Sequence, residues 1–169
     1  MRVRKAVLPA AGFGTRFLPA TKAIPKEMIP LVDRPIIQYA VEEAVASGIE
    51  QIIIVIASGR STIEEHFDSD PALERWLEER GDIEMLRRVR QIGDMVQISY
   101  VRQKEQLGLG HAVLMAKDMV GPEPFAATLS ADVVRGERPG THQPIPASAP
   151  THPPLAPAQE RGRAKTVAP

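Results

Sequence analysis

The sequence contains no cysteine, which excludes disulfide frameworks and thiolate zinc sites and agrees with a reducing compartment. It also lacks any excess of charge. Its 21 basic residues are balanced by 21 acidic ones, so no overall cationic field draws nucleic acid or an anionic membrane surface. An anion would have to be bound by local geometry. No apolar run approaches the roughly 20 residues of a membrane-spanning helix, and the apolar part of the N-terminal MRVRKAVLPAAG is too short for a secretory signal. These absences predict a soluble, cytoplasmic chain that binds neither nucleic acid nor membrane. What is present, 169 residues of which 43% are hydrophobic, fits one domain of ordinary size with a real core.

Strand and helix patterns alternate as far as about residue 134. Lys5 to Leu8 reads as a buried first strand, and residues 9 to 16 as the turn that leaves it. In VDRPIIQYAVEEAVASG, Asp33 is a candidate cap and Pro35 lies near the first helical turn. Ile37, Val41, Ala44 and Val45 recur at helical spacing, and Gly48 marks the stop. QIIIVIA is a continuous β-branched run of the kind buried on both faces of a parallel sheet. Two charged helices are predicted at 71–80 and 82–92, VQISYVRQ alternates as a third strand, LGHAVLMAKDMV is a further helix, and PFAATLSADVV is a strand running into a loop. The expected architecture is α/β with a mostly parallel sheet, whose ligands bind beyond the carboxyl ends of the strands.

Residues 135–169 hold half of the sixteen prolines and almost no large apolar side chains, with neither helical nor strand periodicity. Such a segment buries too little surface to offset its ordering entropy, so a disordered tail is expected after a folded part spanning 1–134.

The stretch LPAAGFGTRFLPATKAIPKEMIP, residues 8–30, carries two glycines, then Arg16, then Lys26 among four prolines. Gly-Phe-Gly-Thr-Arg-Phe lacks the third glycine of a dinucleotide fingerprint, and no acidic residue ends the next strand to take a ribose hydroxyl. A phosphate-binding P-loop would need Gly-Lys-Ser or Gly-Lys-Thr where Thr-Arg stands. What remains is a glycine turn whose N–H groups can face one concavity, with a guanidinium adding paired donors for phosphate oxygens. A purely structural strand-to-helix turn is the alternative. His66 and His111 read as packing or solvent-facing residues, and Met28, Met85 and Met115 as core fillers.

The longer pattern, LPAAGFGTRFLPATKAIPKEM followed by EQLGLGHAV, resembles the sugar-1-phosphate nucleotidylyltransferases, and within them the bacterial UTP glucose-1-phosphate uridylyltransferases. VDRPIIQYAVEEAVASGIEQIIIV and YVRQKEQLGLGHAV are similar to the same subgroup, and the resemblance is nearly continuous over residues 3–126. It implies a Rossmann-like nucleotidyltransferase fold, here incomplete, and a reaction that joins UTP and glucose-1-phosphate into UDP-glucose with release of pyrophosphate. By the same resemblance, Ala10, Ala11, Gly12, Gly14 and Thr15 wrap the triphosphate, and Arg16 and Lys26 serve catalysis on its phosphates. Gln103 and Gly108 read the uracil edge, and magnesium is the implied cofactor. A solvated surface lysine at Lys26 and a simple helix-entry turn at Gly108 and Gly110 are the alternatives.

Relatives carry an acidic pair at the end of the strand FAATLSADVV whose first member holds magnesium. Without a gap that position is Ala131, and Asp132 is the remaining candidate ligand. Family members also run on for well over a hundred residues that supply a second metal carboxylate and the sugar-phosphate contacts. The resemblance therefore implies a truncated, impaired enzyme, or alternatively a non-catalytic nucleotide-binding fragment or a regulatory partner of an intact paralogue. Homo-oligomerisation is left open.

Overall fold

The structure is a computed structural model that describes residues 2–129. Ala131, Asp132 and the expected disordered tail at 135–169 lie outside the described residues.

Strand β1 (Lys5–Ala10) leads into three single turns of 3-10 helix at Thr15–Phe17, Ala20–Lys22 and Lys26–Met28. A short hairpin of β2 (Pro30–Leu31) and β3 (Arg34–Pro35) then feeds helix α1 (Ile36–Ala46). β4 (Gln51–Ala57) follows, then helices α2 (Thr62–Phe67), α3 (Pro71–Glu79) and α4 (Ile83–Gly93), β5 (Gln97–Gln103), α5 (Leu109–Met115), α6 (Lys117–Val120) and β6 (Phe125–Ala127).

The main sheet has the order β5-β4-β1-β6, and every neighbouring pair in it is parallel. The run QIIIVIA becomes an inner strand because helices cover both its faces. Ile52, Ile54 and Ile56 join Ala6 and Leu8 of β1 against Ile37, Val41 and Ala44 of α1 and Ile63 and Phe67 of α2. On the other face, Ile53, Val55 and Val7 meet Ala112, Ala116 and Val120 from α5 and α6. Burying an Ile or Val side chain contributes about 1.5–3 kcal/mol, so this two-faced layer fixes β1 and β4 as the rigid centre.

The strand order sets where a ligand can sit. From β1 the chain moves outward to β4 and β5, then crosses back to add β6 on the other side of β1. Connections that diverge from one strand in this way leave a crevice beyond its carboxyl end. The stretch that opens with Leu8 emerges there.

Local departures from the sequence reading have plain causes. Asp33 does not cap α1, because residues 30–35 are taken up by the hairpin. The helix starts after Pro35, which has no side-chain capping bond. The helix expected over 109–120 is two helices meeting at Ala116, where the backbone ladder tightens to a bond from Ala116 N to Val113 O. Helix α2, six residues long, is too short for periodicity to reveal it. Met28 and Met115 pack against the core, but Met85 on the amphipathic α4 is exposed. α3 and α4 lie close to the predicted ranges, each begun by an aspartate. Asp70 accepts from the N–H groups of Ala72 and Leu73, and Asp82 from that of Met85.

Candidate functional site

A cleft of about 570 Å³ opens beyond the carboxyl ends of the strands, lined by Ala11, Gly12, Arg16 and Lys26 on one side and Gln103 and Gly108 on the other. Lys26 and Gln103, the nearest members of these two groups in the chain, stand 77 positions apart, and parallel strands bring the groups together. Ala11 and Gly12 follow β1 directly, whereas Gln103 is the last residue of β5 and Gly108 precedes α5.

The glycine turn is stitched from inside. Gly14 has φ of 67° and caps the turn that carries Thr15 and Arg16. Its carbonyl accepts from Phe17 N at 2.9 Å and from the hydroxyl of the buried Thr21 at 2.8 Å. A β-carbon at Gly14 would lie 3.0 Å from Thr21 Cγ2 and 3.1 Å from Lys26 Cβ. Gly14 thus lets the two halves of the loop touch, and Lys26 owes its place to that contact. Pro25 is buried and starts the turn holding Lys26 with φ of −58°.

Of the residues expected to bind phosphates, Ala11, Gly12, Arg16 and Lys26 line the cleft. Ala10, Gly14 and Thr15 are not on its lining. Ala10 is buried at the end of β1, paired with Ile56. Arg16 is exposed and Lys26 half-buried, so both cations can reach an anion in the cleft.

Three residues with a part in this geometry escaped the sequence reading. Glu27 is fully buried on the cleft lining, 3.4 Å from Lys26 Nζ, and neither of its oxygens receives a well-formed hydrogen bond from the described residues. Burial pushes its carboxyl above the usual carboxylate range, opposed by its own backbone N–H and by Lys26 and Arg60. Gln106 also lines the cleft, with a buried Oε1 that has no hydrogen-bond partner among the described residues. His111 lies behind the lining, its Nδ1 2.8 Å from Gln103 Nε2. A glutamate inside Pro-Lys-Glu-Met is a signal that could have pointed to Glu27. No local pattern announces His111, which depends on the α5–β5 packing.

Among the described residues no three His, Asp or Glu side chains converge as a metal site. Glu27, the carboxylate on the lining, is tied to Lys26 and has no exposed surface. It does not by itself fit a magnesium ion, which keeps several waters and binds through carboxylates together with substrate phosphates.

The nucleotidyl transferase family model matches residues 5–143. The chain belongs to the nucleotidyl transferase family. Among relatives in that family, it is 57% identical over 142 residues to the UTP--glucose-1-phosphate uridylyltransferase of Bacillus subtilis, a match covering 84% of this chain and 49% of the relative. It is 48% identical over 165 residues to UTP--glucose-1-phosphate uridylyltransferase 2 of Staphylococcus saprophyticus, covering 98% of this chain and 57% of the relative. The chain therefore spans about half the length of the curated relatives it matches. The solved UTP-bound UGPase from Acinetobacter baumannii superposes with a TM-score of 0.73 at 53% identity, over 76% of this chain and 45% of that one. A UDP-glucose pyrophosphorylase complexed with UDP-glucose gives 0.72 at 41% identity, over 86% and 53%. The parallel sheet and its flanking helices are thus the nucleotidyltransferase α/β fold. No helix among the described residues is long and apolar enough to cross a membrane.

Proposed function

We propose that this chain carries the uridine-nucleotide-binding part of a UTP glucose-1-phosphate uridylyltransferase site. The observation that carries the reading is the single cleft shared by Gly12, Arg16 and Lys26 with Gln103 and Gly108. One side offers a glycine backbone that a phosphate chain can approach closely and two cations; the other offers an amide and a glycine suited to a base edge. The names of the relatives agree with UTP as the nucleotide.

In the proposed reaction an anionic phosphate oxygen of glucose-1-phosphate attacks the α-phosphorus of UTP. The bond to the bridging oxygen breaks, and pyrophosphate leaves with that electron pair. The attacking oxygen is already ionised near neutral pH, so the residues are not asked for a base or a protein nucleophile. Their work is positioning and charge neutralisation. Lys26, 3.4 Å from Glu27, would exchange part of that pairing for phosphate. Glu27 keeps the lysine directed at the cleft rather than at bulk water. Magnesium, the cofactor that the resemblance implies, would add further neutralisation of the triphosphate, and Asp132 is its candidate ligand.

The test is calorimetric titration with UTP. Losing a charge-assisted contact costs about 1.5–3 kcal/mol, so Arg16→Ala and Lys26→Ala should each weaken UTP by about tenfold or more. Unchanged affinity in both variants would remove the assignment.

A further inference from the structure

Gln103 is 3% exposed, so the direction of its amide is set by protein partners rather than by water. Its Nε2 lies 2.8 Å from His111 Nδ1 and 3.5 Å from the carbonyl oxygen of Gly108. Both partners are acceptors when the imidazole carries its proton on Nε2, and an amide nitrogen has two hydrogens to give. With both committed, the amide group that Gln103 can offer the cleft is Oε1, an acceptor.

We infer that His111 is a positioning residue that locks the Gln103 amide with its oxygen toward the cleft, and so selects a base with an N–H on its pairing edge, uracil, against cytosine. The inference rests on the reading of Gln103 as the base contact and deepens it. Uracil presents N3–H to an acceptor, and cytosine presents a lone pair at N3, which a fixed Oε1 repels. Glutamine alone does not make this choice, because a free amide can rotate by half a turn and offer its nitrogen instead. The partner of the amide nitrogen makes it. His111 reaches the cleft residues through its 2.8 Å contact with Gln103, and it is through Gln103 that it acts. Its position is fixed by α5, whose next residue, the buried Ala112, is small enough to let the helix lie on the core face of β1 and β4.

The experiment measures the ratio of CTP to UTP dissociation constants for the 169-residue chain, for His111→Phe, which keeps a ring but has no acceptor, and for His111→Asn, whose Oδ1 can take the place of Nδ1. The ratio is read within each protein, so a general loss of folding or affinity cancels. The expected result is a clear preference for UTP in the unaltered chain, a ratio about tenfold smaller in His111→Phe, and its retention in His111→Asn. A full ratio in His111→Phe would overturn the role of His111 while leaving the nucleotide site standing. Equal binding of UTP and CTP by the unaltered chain would overturn the amide lock itself. Binding of neither nucleotide would instead overturn the proposed function.

Discussion

Substituting the two glycines of the turn one at a time should separate the loop's architecture from its ligand. At Gly14, alanine must adopt φ of 67°, which disfavours an L-residue by about 1–2 kcal/mol. Its methyl would also meet Thr21 Cγ2 at 3.0 Å, Lys26 Cβ at 3.1 Å and Thr21 Cβ at 3.2 Å. Overpacking of that kind adds about 1–3 kcal/mol, because Thr21 is buried and cannot move aside. The sum is about 2–5 kcal/mol, which for a chain of this size lowers Tm by roughly 5 to 15 °C. Displacing Lys26 should weaken UTP as well. At Gly12 no positive φ is required, and the nearest atom to an added methyl is Lys26 Cε at 3.9 Å, an ordinary contact. Gly12→Ala should therefore leave Tm within about 2 °C, the effect of well under 1 kcal/mol. It should still cost about tenfold in UTP affinity, or 1.4 kcal/mol, because the methyl stands on the cleft lining where a phosphate chain would approach the backbone. Thermal unfolding followed by circular dichroism, with calorimetry on the same samples, measures both quantities. The reasoning fails if Gly14→Ala melts with the unaltered chain, or if Gly12→Ala binds UTP undiminished.

Val32, 93% exposed at φ of 67° in the hairpin turn, is a β-branched residue in the left-handed region. Val32→Gly should raise stability by about 1 kcal/mol in urea titrations, and a loss would contradict that strain. His66 donates from Nε2 to Gln38 Oε1 at 3.1 Å, and burial holds its imidazole below the ordinary value of 6.5. The unfolded chain takes up that proton more readily, so this contribution is intact above pH 6.5 and declines as pH falls below it toward the depressed folded value. Urea midpoints from pH 5 to 8 should fall less steeply on the acid side in His66→Gln. The 169 residues assayed by themselves should release pyrophosphate from UTP and glucose-1-phosphate at least about a thousandfold more slowly than a full-length relative, because they span half of such relatives and orientation of both reactants supplies much of the rate. That is on the order of 4 kcal/mol of transition-state stabilisation, and turnover within tenfold of the relative would refute it.

The parts of the fold legible in the sequence are those where one local signal suffices. QIIIVIA reads as a strand covered on both faces, and the charged stretches at 71–80 and 82–92 read as the helices α3 and α4. Where two signals compete, tertiary structure decides. Asp33 has the chemistry of a cap, but the hairpin that pairs Pro30 with Pro35 holds it away from the start of α1. The candidate site shows the same division. Gly12, Arg16 and Lys26 could be singled out from glycine, cation and proline spacing, and Gln103 from the family pattern. The residues that hold them could not. Glu27 matters because it is buried beside Lys26, and His111 because packing of α5 brings its ring to Gln103. Neither fact exists until the sheet has formed.

On the proposed function, residues 11–26 and 103–112 form one nucleotide site across the ends of β1 and β5. Amide hydrogen exchange with and without saturating UTP tests it directly, because both segments can be followed in one experiment. A shared site should slow exchange in both segments together and leave α3 and α4 unchanged. Protection confined to one segment, or found mainly at residues 71–93, would contradict it.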